Sequence, residues 1–329
     1  MLSGLFILSL FVLACSEKQP VAEDGITGDF SGTLTSEEKE NARLTPEVLW
    51  KFGRVSDHQL SPDGTKVLFG VTRYDYLTNN SITDIYSIPV EGGGSAKLTG
   101  SDGAYFNHRW YPDGSKIGFI SGESGTNQLW EMNPDGSMKK QISEIEGGIN
   151  GFEYSPDGKS IFFIKDVKID QTPQEIYPDL PLAKVRIIDD LMYRHWNSWH
   201  DYSYSHIFVA SYEDSFIGEP TDIMEGEPWD APLSPYFDQT EISWSPNGKY
   251  IAYTCKKMKG KDYAVSTNSD IYLYNLMDNS TENITKGMPG YDKYPVFSPD
   301  GSKIAWQSMK TPGYEADKNR LFTMDLSTG

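Results

Sequence analysis

Three histidines, His195, His200 and His206, fall within twelve residues of a chain that has only five. Clustered imidazoles raise the question of a bound metal. Their spacing matches no zinc pattern, and His206 opens a predicted strand. The two cysteines, Cys15 and Cys255, are too few for a thiolate site. The expected role of these imidazoles is packing among aromatic and polar neighbours, with no metal and no cofactor. Serine chemistry of the α/β type needs Gly-x-Ser-x-Gly between a strand and a helix. The nearest approach, "GESGT" (Gly122–Thr126), ends in Thr and lies in a connection, so it reads as a turn. The adjacent acids Asp189 and Asp190 suit acid–base work, but in a chain of net charge −18 such neighbours read as solvated surface. "EGGGS" (Glu91–Ser95) is a hairpin turn and no phosphate loop. No catalytic residue is therefore assigned to this chain.

The elements around these residues repeat. "LSPDGTKVLF", "WYPDGSKIGF", "YSPDGKSIFF", "WSPNGKYIAY" and "FSPDGSKIAW" begin their turns at Ser61, Tyr111, Ser155, Ser245 and Ser298, at spacings of 50, 44, 90 and 53. Pro presets the second turn position, Asp or Asn bonds back to the local backbone, and Gly takes the positive φ that closes the turn. Each turn therefore joins two antiparallel strands. Three residues after each Gly stands Val67, Ile117, Ile161, Ile251 or Ile304. Two further on stands Phe69, Phe119, Phe163, Tyr253 or Trp306. The residues between them, Leu68, Gly118, Phe162, Ala252 and Ala305, are also non-polar, which predicts a strand covered on both faces.

A second phrase follows each first one: "DIYSI", "QLWEM", "HIFVA", "DIYLY" and "RLFTM". Each leads through another turn toward a short polar strand. Four antiparallel strands per ~45 residues is a β-propeller blade. The fold class expected is all-β: a propeller of WD40-like or TolB-like four-stranded blades over residues 44–329. Five blade repeats are visible. The last reaches only its third strand and the start of a turn, so further blades are expected beyond Gly329. In the third unit the second-strand aromatic precedes the third strand by 43 residues, against 9 to 17 elsewhere. That places an insertion at about 166–205, leaving the propeller opposite the Pro-Asp-Gly turns. A second loop, about Asp214–Thr240, is acidic and Pro-rich.

The first 14 residues are apolar and too short to span a bilayer, which needs ~20. "VLAC" (Val12–Cys15) resembles a bacterial lipobox. The expectation is a signal over 1–15 with Cys15 as lipid anchor, a flexible tether over 16–43, and an exported periplasmic or outer-membrane-associated lipoprotein. No Lys or Arg precedes the apolar run, which departs from the usual pattern. The acidic balance excludes a nucleic-acid partner, which calls for a basic stripe. The one dense basic run, "KKMKGK" (Lys256–Lys261), reads as a solvated hairpin tip.

"LTPEVLWKFGRVSDHQLSPDGTKVLF" (Leu44–Phe69) resembles the opening of the propeller in prolyl-oligopeptidase-type serine peptidases, nearest the dipeptidyl peptidase V and acylaminoacyl-peptidase branch. "LMYRHWNSWHDYSYSHIFV" (Leu191–Val209) is similar to the same branch. The resemblance implies a propeller of about seven or eight blades, at the upper end of the usual range, capping a C-terminal α/β-hydrolase domain. That domain would carry the Ser-His-Asp centre and act on short peptides, releasing dipeptides or acyl-amino acids. None of its catalytic residues maps onto this chain. The propeller's implied role is to restrict access and help hold substrate, with Arg194, His195, Trp196 and Trp199 as candidate substrate-facing residues. The alternative is a non-enzymatic TolB-like periplasmic propeller that binds a protein partner.

Overall fold

A computed structural model describes residues 30–100, 103–233 and 238–328. The signal segment, Cys15 and the first part of the tether lie outside them. Among the described residues five antiparallel blade sheets follow one another along the chain, and a separate two-stranded hairpin lies within the third. Blade 1 is Arg54–Leu60, Lys66–Asp75, Asn80–Pro89 and Ala96–Lys97. Blade 2 is Tyr105–Trp110, Ile117–Ser121, Gln128–Met132 and Lys140–Gln141. Blade 3 is Gly151–Tyr154, Ser160–Lys168, Ser203–Glu213 and Thr221–Asp222, with Phe216–Ile217 paired to the end of its third strand. Blade 4 is Ile242–Trp244, Tyr250–Cys255, Asp270–Asn275 and Ser280–Asn283; blade 5 is Asp292–Phe297, Lys303–Ser308 and Arg320–Asp325.

The five turns form as expected. Gly64, Gly114, Gly158, Gly248 and Gly301 all have φ between 67° and 75°. In four of them the turn serine bonds the Asp or Asn two residues on, as Ser61 Oγ does Asp63 at 2.6 Å. In blade 2 Tyr111 stands in the serine's place, and its hydroxyl donates to the Gly158 carbonyl of the next turn at 3.0 Å.

Alternation along the second strands assigns each side chain to a cleft between blades. Ile161 and Phe163 pack toward blade 2, whereas Phe162, between them, packs toward blade 4. Ile251 and Tyr253 face blade 3, and Ala252 faces blade 5. Gly118 is needed at its position: a Cβ there would stand 2.3 Å from the Tyr154 hydroxyl and 2.9 Å from Phe152 Cζ. Among the described residues the apolar core is thus four clusters, each shared by two neighbouring blades.

This topology gives the propeller two unlike ends. The Pro-Asp-Gly turns and the turns after each third strand lie on one, the turn face. The starts of the inner strands, the connections from second to third strands, and the passages between blades lie on the other, the connector face. The inner strands bulge at one repeated place. Asp57, Asn107 and Tyr294, each five residues before its turn proline, adopt left-handed φ of 47°, 48° and 54°. Strand register shifts there in all three.

Two boundaries differ from expectation. The second and third strands of blade 3 stay paired as far as Lys168 and Ser203, so the inserted segment is 169–202 rather than 166–205. Within the stretch read as tether, Ser36–Asn41 form a short helix, α1, closed by a Thr35–Glu38 capping box. Glu38 pairs with Lys51 at 2.8 Å, which ties α1 to helix α2, Pro46–Lys51. In α2, Thr45 caps Val48 N as the Thr-Pro-Glu start predicts.

Candidate functional site

The insertion leaves blade 3 on the connector face and folds back over blade 4. It begins with helix α3 (Pro173–Ile176), which Thr172 and Glu175 close as a second capping box. Gln174 Nε2 donates to the Ala183 carbonyl at 2.6 Å and gathers the following loop. The segment ends in a hairpin that pairs Arg194 with Trp199 and His195 with Ser198, with Trp196 at its tip at φ 47°. Between the insertion, the Trp229–Asp230 loop and helix α4 (Gly260–Val265) lies a cavity of about 440 Å³.

Of the four candidate residues, Arg194, His195 and Trp199 line this cavity, whereas Trp196 does not. The Arg186 and Arg194 guanidiniums stand 4.8 Å and 5.5 Å from the centre of the Trp199 ring, which also stacks on Tyr193. The three clustered histidines do not converge. His195 packs edge-on to Trp196. His200 Nε2 lies 2.8 Å from Asp170 Oδ2, the same oxygen that accepts the Tyr204 hydroxyl. His206 is fully buried, with Nδ1 2.8 Å from Asp222 and Nε2 2.8 Å from the Glu227 carbonyl. Burial works against its charge, but the Asp222 carboxylate outweighs it and the pKa is raised. Among the described residues no group of three or more His, Cys, Asp or Glu could hold a metal ion.

Several wall residues carried no motif. Burial pushes the Asp230 carboxyl up to about 6, against the Ser205 N–H that bonds it at 2.8 Å. Lys256 corrects the reading of the basic run as a solvated tip. Its ammonium donates to the Tyr263 and Ser266 carbonyls at 2.7 and 2.6 Å and sits 3.9 Å from the Tyr263 ring. Burial draws its pKa down to about 8. Asp189 and Asp190 are exposed as expected but stand on the cavity's rim. Asp190 abuts Gly260, where a Cβ would meet its Oδ2 at 2.5 Å. A Trp-Asp pair within an acidic, Pro-rich loop was the one available signal for Trp229 and Asp230.

A second cavity, of about 510 Å³, lies between the inner strands of blades 1 to 4. Gln59, Arg109, Glu153 and Ser243, each three residues before its turn proline, line it from four successive inner strands. Arg109 is held by Asp57, and burial raises the Glu153 carboxyl to about 7 although Arg109 pulls it the other way. Both cavities offer rings and charges of either sign.

No protein-family model matches the chain. It is similar to the dipeptidyl-peptidase 5 of Porphyromonas gingivalis, 45% identical over 299 residues, which is 91% of this chain and 43% of that protein. With the dipeptidyl-peptidase 5 of Porphyromonas endodontalis it shares 38% identity over 318 residues, 97% of this chain and 45% of that one. The chain thus spans less than half the length of these curated relatives. Among solved structures it resembles an acylaminoacyl peptidase bound to Z-Gly-Gly-Phe-chloromethyl ketone, with TM-score 0.60 and 18% identity over 84% of this chain and 39% of that one. A putative TolB from Agrobacterium tumefaciens gives TM-score 0.50 and 17% identity over 84% and 79%. These two likenesses are of fold.

Proposed function

This chain is a propeller region of the prolyl-oligopeptidase family, and from that premise we propose that it serves a serine peptidase as its N-terminal, substrate-gating part. The catalytic Ser, His and Asp would belong to an α/β-hydrolase domain in the remainder of a longer polypeptide. The reaction proposed is release of dipeptides or acyl-amino acids from short peptides. The observation that carries this reading is the 45% identity to a dipeptidyl-peptidase 5 across nearly all of the chain. The cavity beneath the insertion supports it. Aromatic walls with charges of both signs at their edge would hold a peptide by stacking and by its termini. We further propose export as a periplasmic or outer-membrane-associated lipoprotein anchored through a lipidated Cys15.

The experiment is to express the full-length gene product. It is assayed with dipeptidyl and acyl-aminoacyl chromogenic substrates, with and without a serine-directed fluorophosphonate. Turnover that the fluorophosphonate abolishes is expected. No turnover and no covalent label would leave the second reading, a non-enzymatic periplasmic propeller that binds a protein.

A further inference from the structure

We propose that Arg186 and Arg194 form a subsite for a carboxylate of the peptide substrate, built on the Trp199 ring. This rests on the reading of the chain as the propeller of a peptidase. It names one group of the peptide that the cavity beneath the insertion takes.

Local pairing sets the platform. In the hairpin that closes the insertion, Arg194 stands directly across from Trp199. The Trp199 ring stacks on Tyr193, with centres 5.9 Å apart. Arg186 reaches the same ring from the loop before the hairpin, and its Nη1 donates to the His200 carbonyl at 3.3 Å. His200 is in turn held by Asp170 at 2.8 Å. Both guanidiniums thus lie against one indole, 4.8 and 5.5 Å from its centre. Both line the cavity and are open to solvent.

The surrounding charges make this pair unusual. The chain has 47 acidic residues and 29 Lys or Arg, so a surface cation has many acids to choose from. Among the described residues, no ion pair includes Arg186 or Arg194. The acids nearby are turned elsewhere. Asp190 Oδ1 accepts the Leu191 N–H at 2.8 Å, and its Oδ2 abuts Gly260. Asp170 is taken by His200 and the Tyr204 hydroxyl. Two like charges are therefore held beside one ring, whose π-face supplies their attraction to the site. An anion placed there relieves their mutual repulsion.

Donor geometry selects the anion. A guanidinium carries five N–H donors in one plane. Stacking on an aromatic face leaves those donors at the edge of the stack. Arg186 spends one on the His200 carbonyl, and among the described residues Arg194 donates to no protein group. A planar carboxylate accepts two parallel bonds from such a fork. A peptide offers that carboxylate at its C-terminus or on an acidic side chain.

The test uses the full-length protein. The dipeptidyl group cleaved fastest in the chromogenic assay is extended by two, three or four alanines. Each peptide is made as the free acid, as the C-terminal amide, and as an amide whose last residue is Glu. Released dipeptide is measured by mass spectrometry. At one of these lengths kcat/KM for a carboxylate-bearing peptide should exceed that for the plain amide about tenfold, the scale of a charge-assisted pair near water. In Arg186→Gln/Arg194→Gln the ratio should fall to about one. Arg186→Lys/Arg194→Lys keeps the charge and loses the fork, so it should retain only part of the preference. Each ratio is read within one preparation, so the fraction of folded enzyme cancels. A preference for the free acid assigns the C-terminus, and a preference for the Glu amide alone assigns a side chain. Equal rates at every length, or a preference that survives the Gln pair, overturn the subsite in a protein that takes the fluorophosphonate label. Absence of that label overturns the peptidase reading, and the peptide ligand with it.

Discussion

The carboxylate of Asp57, on the inner strand of blade 1, accepts Nη1 of Arg109, on the inner strand of blade 2, at 2.8 Å. Arg109 is almost wholly buried, and Asp57 takes its place by adopting the left-handed backbone of the bulge. Asn tolerates that conformation, so Asp57→Asn removes the charge and keeps the geometry. Removing the charged partner of a buried guanidinium is costly; the bond from Arg109 Nη1 to the His108 carbonyl at 2.7 Å and the partial exposure of the Asp57 side chain moderate it, to about 2 kcal/mol. Urea unfolding of the full-length protein should show that loss; an unchanged midpoint would mean the pair adds nothing between blades 1 and 2.

Gly118 predicts a cost of crowding. Gly118→Ala drives a methyl against the Tyr154 hydroxyl and Phe152 ring of blade 3. The expected destabilisation is about 2 kcal/mol, typical of an overfilled core. Gly94→Ala, in open space at an ordinary φ, is the control, expected to gain about 0.5 kcal/mol through a less flexible unfolded chain. Thermal unfolding of both variants checks the contrast, and equal midpoints would contradict the packing described.

Glu241 predicts a pH dependence. It is fully buried beside blade 5, its Oε2 accepts only a long bond from Leu233 N (3.4 Å), and burial raises its pKa to about 8. A carboxyl whose folded pKa exceeds its unfolded value stabilises the fold while protonated. The contribution is complete below about pH 4 and is lost as pH rises through 8. Glu241→Gln should therefore change little at pH 5 and stabilise at pH 9, by roughly 5 kcal/mol from the shift. Melting temperatures at the two pH values test it, and a variant equally stable or less stable at pH 9 refutes it.

Trp199 predicts a binding effect. Its ring forms a wall of the cavity under the insertion, with Arg186 and Arg194 against it. In the full-length peptidase, Trp199→Ala should raise KM about tenfold with kcat little changed, as expected for loss of uniform binding. Met138→Ala, on the turn face, should leave both constants unchanged. A fall in kcat alone would place Trp199 outside the binding of substrate.

How far these features could be read beforehand follows from their physics. Turn chemistry and two-residue alternation act locally, so the Pro-Asp-Gly hairpins and the burial of Ile304 and Trp306 were legible from short phrases. The bulges were not, because Asp57, Asn107 and Tyr294 share a backbone conformation but no residue type. The long strands of blade 3 run three residues past the expected ends because "DVK" and "SYS" are polar there yet still paired. At the candidate site, Arg194, His195 and Trp199 stood out by composition. Asp230 and Lys256 did not, since a buried acid and a buried amine look like surface residues until their neighbours are known.

Because every apolar cluster is shared across a cleft, no blade owns a core. The unit that gains stability is the seam between two sheets, made of one face of each. A single blade moved into another propeller would carry half of two seams and complete neither. A segment cut through the middle of two successive second strands' sheets, from the far face of one blade to the near face of the next, would carry one seam whole. Duplication or recombination among such repeats should therefore tolerate breakpoints by which seams they keep intact, and the ten-residue phrase is the visible mark of a seam's edge rather than of a module.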